Sequence, residues 1–234
     1  MGIKIIIPFV EGKGDIDAVP ILMRRVRPVA QPAKIDVPPI KITAAWRVGH
    51  LQHLLKNDGK MWKDKLAFAS SKRRASGVLL LLDGDRLPLG GQDPLCPANI
   101  AQALVNQAKM VGAGACFSVA VVIAMQEVES WFIAGASSLI RARQSQGKQD
   151  ATAELEGDLE KHPRDAKAWL SHHLPGGYSS TLHQADCAAR VDLDQIRDRK
   201  MRSFGRFEKA VHELFDAVIM DRHIATPVPT TAKR

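Results

Sequence analysis

The chain has 234 residues, 45% hydrophobic and 25% charged, the composition of a globular protein with one sizeable core and at most a small second unit. Its three cysteines lie far apart and form no CxxC pair, which argues against a disulfide framework or a structural zinc site and favours a reducing compartment, the cytoplasm. No apolar run is long enough for a signal peptide or a membrane span, and the formal net charge of +8 favours a polyanionic partner.

Predicted strands and helices alternate through the first part of the chain. A β-branched apolar run at residues 3–10 predicts the first strand, and Asp15 is predicted to be the N-cap of a helix that ends near residue 26. The later predictions are a strand at 40–46, helices at 48–56 and 60–74, a buried strand ending at Asp83, a helix at 99–111, a buried strand at 116–124 and a short helix at 125–135. This alternation predicts the α/β class, with a parallel or mixed sheet flanked by helices.

Beyond residue 135 the pattern changes to short, polar, helical segments. The strongest of them is residues 206–220, which carry an apolar stripe at helical spacing. We therefore predict an α/β domain at residues 1–135, a helical annex at 136–225 and a disordered tail at 226–234.

Acidic side chains follow three of the predicted strands. Glu11 follows the first strand, Asp83 and Asp85 follow the buried strand with a glycine between them that lets the backbone bend, and Glu127 and Glu129 follow the last. The carboxyl ends of parallel strands share one edge of a sheet, so these carboxylates are expected to converge there. Carboxylates this close repel one another unless a cation lies between them, and hard cations prefer oxygen ligands. The sequence therefore predicts a Mg²⁺ or Mn²⁺ site. Residues two apart on a helix do not share a face, so Glu129 is preferred over Glu127.

Two motifs resemble the Toprim fold, the metal-binding module of topoisomerases, primases and the overcoming-lysogenisation-defect nucleases. They are VEGKGD at residues 10–15 and DGD at residues 83–85, and the resemblance covers roughly residues 1–135. The stretches QEVESWFIA at 126–134, GYSSTLHQAD at 177–186 and RSFGRF at 202–207 resemble a narrower group of bacterial Toprim-like proteins of unknown function. That group is often associated with ATPases of defence systems, which implies an antiviral role with an ATPase partner.

The resemblance implies a metal-dependent nuclease that hydrolyses phosphodiester bonds in DNA or RNA. Asp83 and Asp85 would hold the metal, Glu11 would be a further ligand or the general base, and Glu129 would complete a second metal position. Asp15 stands where such nucleases often carry glutamate, and its shorter side chain favours the helix-capping role instead.

Basic residues cluster in two segments. Thirteen lysines and arginines accompany three acids between residues 20 and 74, and six accompany two acids between residues 197 and 209. Such clustering is typical of a nucleic-acid-binding surface, although a solvated face has the same appearance. The residues predicted to contact phosphates are Lys13, Arg199, Lys200, Arg202 and Arg206.

Three other interpretations compete with the nuclease. A non-catalytic Toprim-like subunit would bind nucleic acid or an ATPase and use the acids for a regulatory metal. A topoisomerase is rejected because the sole tyrosine, Tyr178, lies in a loop-like context, and a haloacid-dehalogenase-like phosphatase is disfavoured because DGD lies far from the first strand. His50 and His53 are predicted to be structural, and the chain has no Walker A motif for hydrolysing ATP on its own.

Overall fold

A six-stranded parallel sheet forms the centre of the molecule. The computed structural model describes residues 2–28, 38–84, 96–144, 157–161 and 165–228. Within these ranges the strands are β1 (Lys4–Val10), β2 (Ile40–Ile42), β3 (Trp46–Arg47), β4 (Gly77–Asp83), β5 (Ser118–Ala124) and β6 (Ala225–Thr226). The order is β2-β1-β4-β5-β6, β3 also pairs with β1, and every pairing in the described ranges is parallel. The predicted α/β class and flanked parallel sheet are confirmed.

Helices cover both faces of the sheet. In the described residues they are α1 (Asp15–Val26), α2 (Leu51–Lys72), α3 (Pro97–Lys109), α4 (Glu129–Ala134), α5 (Ala136–Gln144), α6 (Ala166–His173), α7 (Ser180–Arg190), α8 (Leu193–Asp198) and α9 (Arg202–Ile219). The predicted helical character of the C-terminal region is confirmed. None of these helices combines the length and apolar character that a membrane crossing needs, as far as the described ranges go.

The strands bury side chains on both faces, as their continuous apolar runs predict. Ile6, Val10 and Leu81 point to one face, where α1 and α4–α9 pack, and we call these seven helices the broad layer. Alternate residues such as Phe9 and Leu80 point to the other face, where α2 and α3 form the thin layer. Because α7 and α9 share a core with α1 and the sheet, the helices after residue 135 pack directly on the α/β part.

One local prediction agrees with the structure and two differ from it. Helix α2 is interrupted at residues 56–59, whose backbone is not helical. This break matches the predicted gap between two helices. The helix after β5 begins at Glu129, so Glu127 precedes it, contrary to the prediction that both lie on one helix. Thr226, predicted to begin the tail, lies in β6 and pairs with Ala120 of β5. The division at residue 135 stays a prediction, and residues 229–234 lie outside the described ranges.

Candidate functional site

The strand register brings three chain segments to the carboxyl edge of the sheet. Val10 at the end of β1 pairs with Leu81, so Glu11 follows at the level of the last residues of β4. Asp83 at the end of β4 pairs with Ala124, the last residue of β5. Glu11, Asp83 and the turn that carries Glu127 therefore share this edge, as the sequence predicts.

Glu11 is buried against the start of the thin layer. Its Oε1 lies 2.6 Å from Nδ1 of His50, and its backbone carbonyl accepts a hydrogen bond of 3.2 Å from Nε of Arg47. The other carboxylate oxygen, Oε2, is buried and has no hydrogen-bond partner among the described residues. His50, for which the sequence suggested only a structural role, thus contacts a predicted site acid.

Asp83 ties the end of β4 to the turn after β5. Its Oδ1 accepts a hydrogen bond of 3.3 Å from the backbone N–H of Val128, and the N–H of Gly84 donates to the carbonyl of Gln126 at 2.8 Å. A Cβ on Gly84 would lie 2.6 Å from the carbonyl oxygen of Ala124. Glycine is therefore required here by the close approach of the two chain segments.

Asp15 belongs to the acidic site, which corrects the prediction that it caps a helix. The N-cap of α1 is Gly14, and Asp15 is the first helical residue. Its side chain is buried, and its two oxygens accept hydrogen bonds from the N–H of Gly12 at 2.9 Å and from Nε2 of Gln184 at 2.6 Å. Both Asp15 and Gln184 therefore support the carboxyl edge from the broad layer.

Glu127 and Glu129 approach the same cation. Nζ of Lys167 lies 2.5 Å from Oε1 of Glu127 and 3.8 Å from Oε1 of Glu129, and the Tyr178 hydroxyl donates to Glu129 at 3.1 Å. Both glutamates are buried. They meet at Lys167 because Glu127 lies in the turn before α4, so the helical spacing argument does not apply to the pair.

Burial and neighbouring carboxylates raise the pKa of Asp83 and of Glu129. Burial raises the pKa of the Asp83 carboxyl well above its ordinary value, and the charges of Asp15, Glu129 and Glu11 raise it further, while Lys167 opposes them. Burial raises the pKa of Glu129 to about 7, against the lowering effect of Lys167. Four carboxylates from three strand ends therefore interact electrostatically at this edge, with too little positive charge to balance them.

Lys167 and Tyr178 keep their protons in this environment. Burial favours a lower pKa for Lys167, but Glu129 and Glu127 outweigh it and the pKa rises. Burial, and then the charge of Glu129, raise the pKa of the Tyr178 hydroxyl. The ammonium and the hydroxyl are thus stable hydrogen-bond donors toward the glutamates, and Tyr178 is unsuited to act as a nucleophile.

The donor set fits a hard divalent cation in its chemistry. Glu11 offers an oxygen with no partner in the described structure. The raised pKa of Asp83 reflects burial and, after it, repulsion by neighbouring carboxylates that a cation would relieve. In the described ranges, no three His, Cys, Asp or Glu side chains are gathered into a ready-made coordination site. Asp85, the other predicted ligand, lies outside the described residues.

The basic residues predicted to bind nucleic acid are exposed and form no ion pair with these acids in the described structure. Lys13 is exposed in the turn after Glu11, and the remaining four are exposed around the start of α9 in the broad layer. Within the described ranges none of them forms an ion pair with a site carboxylate. The four are Arg199, Lys200, Arg202 and Arg206.

Comparison with known proteins gives a family but no activity. A family model described as a domain of unknown function, DUF4276, matches residues 10–212. The chain belongs to the DUF4276 family. The DUF4276 region begins at Val10 and ends within α9, so it contains the acids and the helices that support them. No curated protein and no solved structure matches the chain significantly.

Sequence reasoning missed His50, Lys167 and Gln184. Tyr178 and Gln184 lie in the GYSSTLHQAD stretch, which the sequence analysis singled out without assigning its residues to the site. His50 follows β3 by three residues and reaches Glu11 only because β3 pairs with β1. No local pattern marks Lys167, whose role depends on how α6 packs against α4.

Proposed function

We propose that the protein is a divalent-metal-dependent nuclease that hydrolyses phosphodiester bonds in DNA or RNA. The observation that carries this proposal is the convergence of largely buried carboxylates from three strand ends at one edge of the sheet, where burial and the charges of Asp15, Glu129 and Glu11 raise the pKa of Asp83. A fold that gathers like charges at a sheet edge carries an electrostatic cost, and such costs are typical of functional sites. A bound divalent cation would offset that cost.

Glu11 and Asp83 would hold the cation, with Asp85 as a third predicted ligand. When bound, Mg²⁺ or Mn²⁺ would supply Lewis-acid stabilisation of phosphate charge and lower the pKa of an attacking water. Glu129, with its pKa raised to about 7, is suited to exchange a proton near neutral pH. Tyr178 and Lys167 fix the position of Glu129 through their contacts at 3.1 Å and 3.8 Å.

The Toprim resemblance supports this chemistry, because the acids lie at the positions of its two motifs. The same resemblance supports a role in antiviral defence beside an ATPase partner. Lys13 and the basic residues that open α9 are proposed to contact substrate phosphates, since all of them are exposed and, among the described residues, none is paired with a site carboxylate.

A second candidate is a non-catalytic Toprim-like subunit that binds nucleic acid or regulates a partner. One observation favours it: several acids already have protein partners, with Lys167 on Glu127, Tyr178 on Glu129 and Gln184 on Asp15. Acidic side chains that already have partners within the protein are stable in the folded state whether or not the protein catalyses a reaction.

The test is a cleavage assay on labelled single-stranded DNA, duplex DNA and RNA with Mn²⁺, Mg²⁺ or chelator. We expect metal-dependent cleavage by the wild type, its loss in Asp83→Ala, and its retention in Asp216→Ala, which removes an exposed aspartate on α9. Unchanged metal-dependent cleavage in Asp83→Ala would overturn the site. Nucleic-acid binding in chelator without turnover in either metal would favour the non-catalytic subunit.

A further inference from the structure

An open groove of about 920 Å³ lies along α2 in the thin layer. It combines positively charged side chains with aromatic rings, a combination that the sequence did not reveal. The side chains used in the argument below are Trp46, Phe68, Lys56, Lys60, Lys65 and Arg73.

The groove is positively charged. Three lysines and one arginine line the groove, together with a single acid, Asp64. Asp64 pairs with Lys60 at 2.6 Å on the exposed surface. An exposed pair of this kind is weak and screened by salt, so it does not cancel the charge of the other cations. A basic groove of this kind suits a chain of phosphates.

The aromatic rings are held in place by the core. Trp46 stacks on buried Phe9 with ring centroids 5.3 Å apart, and Phe68 lies 5.9 Å from Trp46 and is 49% exposed. The Arg73 guanidinium lies 6.0 Å from the Trp46 ring and 5.9 Å from the Phe68 ring. A large exposed aromatic side chain beside a guanidinium offers a platform on which an unpaired base can stack.

The backbone of the groove wall is strained. Residues 56–59 leave the helical conformation, and Asn57, Asp58 and Gly59 take positive φ angles of 50°, 53° and 69°. Gly59 adopts this conformation freely, but the two residues before it, Asn57 and Asp58, do so at a steric cost, and strain of this kind clusters at functional sites. The break places Lys56 on the groove wall and is held by an ion pair of 2.8 Å between Lys63 and Asp58.

We propose that this groove binds single-stranded nucleic acid, with bases stacked on Phe68 and phosphates paired with Lys56, Lys60, Lys65 and Arg73. A duplex already stacks its bases on one another and hides their faces, so the exposed aromatic surface selects an unpaired strand. DNA and RNA share the chemistry involved, namely an anionic backbone and free base faces.

The groove leads toward the acidic site. His53 lines the groove, its ring centroid lies 6.0 Å from that of His50, and His50 contacts Glu11. Trp46 and Arg47 form β3 beside the end of β1, and Arg47 bonds the carbonyl of Glu11. A strand bound in the groove would therefore extend toward Glu11; this step, unlike the binding itself, rests on the proposed nuclease function.

The experiment measures binding to the full chain in chelator, so its outcome does not depend on cleavage. Fluorescence anisotropy would follow labelled 20-nucleotide oligo-dT, oligo-U and a 20-base-pair duplex. We expect both single strands to bind more tightly than the duplex. Phe68→Ala and Phe68→Leu should weaken binding roughly 5- to 100-fold, whereas Phe68→Trp should retain it.

The lysines are tested by the salt dependence. Lys56→Ala/Lys65→Ala should reduce the slope of log affinity against log salt by about 1.4, the value for two lost phosphate contacts on a single strand. The matched control, Lys41→Ala/Lys109→Ala, removes two exposed lysines outside the groove and should leave the slope close to that of the wild type.

Three results would overturn the proposal. They are equal affinity for duplex and single strand, wild-type affinity in Phe68→Leu, and loss of binding only when Arg199, Lys200, Arg202 and Arg206 are replaced by alanine. The last result would assign nucleic-acid binding to the broad layer. Circular dichroism and thermal unfolding of each variant separate lost binding from lost folding, and Phe68→Leu keeps an apolar side chain at the site.

Discussion

The two helical layers differ in the sign and the burial of their charged side chains. The broad layer buries carboxylates at the sheet edge, among them Asp15, Glu127 and Glu129, and supplies each with a donor from α6, α7 or the segment between them. The thin layer has no buried acid on either of its helices, and its charge is an exposed row of cations along α2. Glu11 lies where the two meet, because it follows β1 and bonds His50 at the start of α2.

This contrast suits the acidic edge to chemistry and the thin layer to binding. Buried, partly compensated acids have raised pKa values and are suited to metal and proton chemistry, at a cost to stability. Exposed cations beside aromatic rings cost little to maintain and are suited to holding a polyanion. The comparison therefore predicts that variants of the acidic edge change turnover, while variants of the thin layer change binding or stability.

The largest expected effect comes from Asp83→Ala. Metal-dependent cleavage should fall on the order of 10³-fold or more, as happens when one member of a cooperating catalytic group is removed. Stability at pH 7 should not fall, because burial and then the charges of Asp15, Glu129 and Glu11 disfavour the Asp83 carboxylate in the folded state. Initial rates and urea unfolding check both statements, and a large loss of stability would contradict the second.

The pH dependence of stability tests the burial of Glu129. Its pKa rises from 4.5 to about 7 on folding, so the folded state keeps a proton that the unfolded state has lost. Stability should therefore fall as pH rises from about 4.5 to 7, by on the order of 3 kcal/mol from this group. Glu129→Gln should lose this component while keeping an acceptor for Tyr178.

Urea unfolding of wild type and Glu129→Gln at pH 5 and pH 7.5 provides the measurement. The difference between the two proteins isolates the contribution of Glu129 from that of other titrating groups. Parallel pH profiles would show that Glu129 titrates normally and would remove the electrostatic contrast between the two layers.

In the thin layer, Gly59→Ala should destabilise the protein by about 1–2 kcal/mol. Gly59 has a φ of 69°, and a Cβ there would lie 2.1 Å from Oε1 of Gln107 on α3. The cost combines left-handed backbone strain with a displaced side chain. Urea unfolding measures it, and an unchanged midpoint would show that the break in α2 is not constrained.

The smallest effect should come from Gly205→Ala in the broad layer, with the opposite sign. Gly205 lies inside α9, has no atom within 4 Å of the added Cβ, and is exposed. Alanine should therefore stabilise the helix by roughly 0.5–1 kcal/mol. A loss of stability in the same unfolding assay would show that the start of α9 contacts another part of the molecule.

The three long strands, β1, β4 and β5, were predictable because each is a short apolar run followed by acidic residues. Glu11, Asp83 and Glu129 were located in this way, since parallel strands end at one edge. The sequence predicted β2 and β3 as one strand and did not predict β6. The role of Asp15 was misjudged because a local capping rule competes with a distant partner, Gln184, that only tertiary packing brings close. Lys167 and His50 could not be found for the same reason, as their contacts span 40 and 39 residues of sequence.

The most direct test of the acidic edge as a metal site is isothermal titration of Mn²⁺ into wild type, Asp83→Ala and Asp216→Ala. We predict saturable binding to the wild type and to Asp216→Ala, and its loss in Asp83→Ala. Because Asp83 and Glu129 have raised pKa values, binding should release protons and weaken between pH 8 and pH 6. Absence of binding to the wild type, or equal binding to Asp83→Ala, would contradict the assignment of this edge as a metal site.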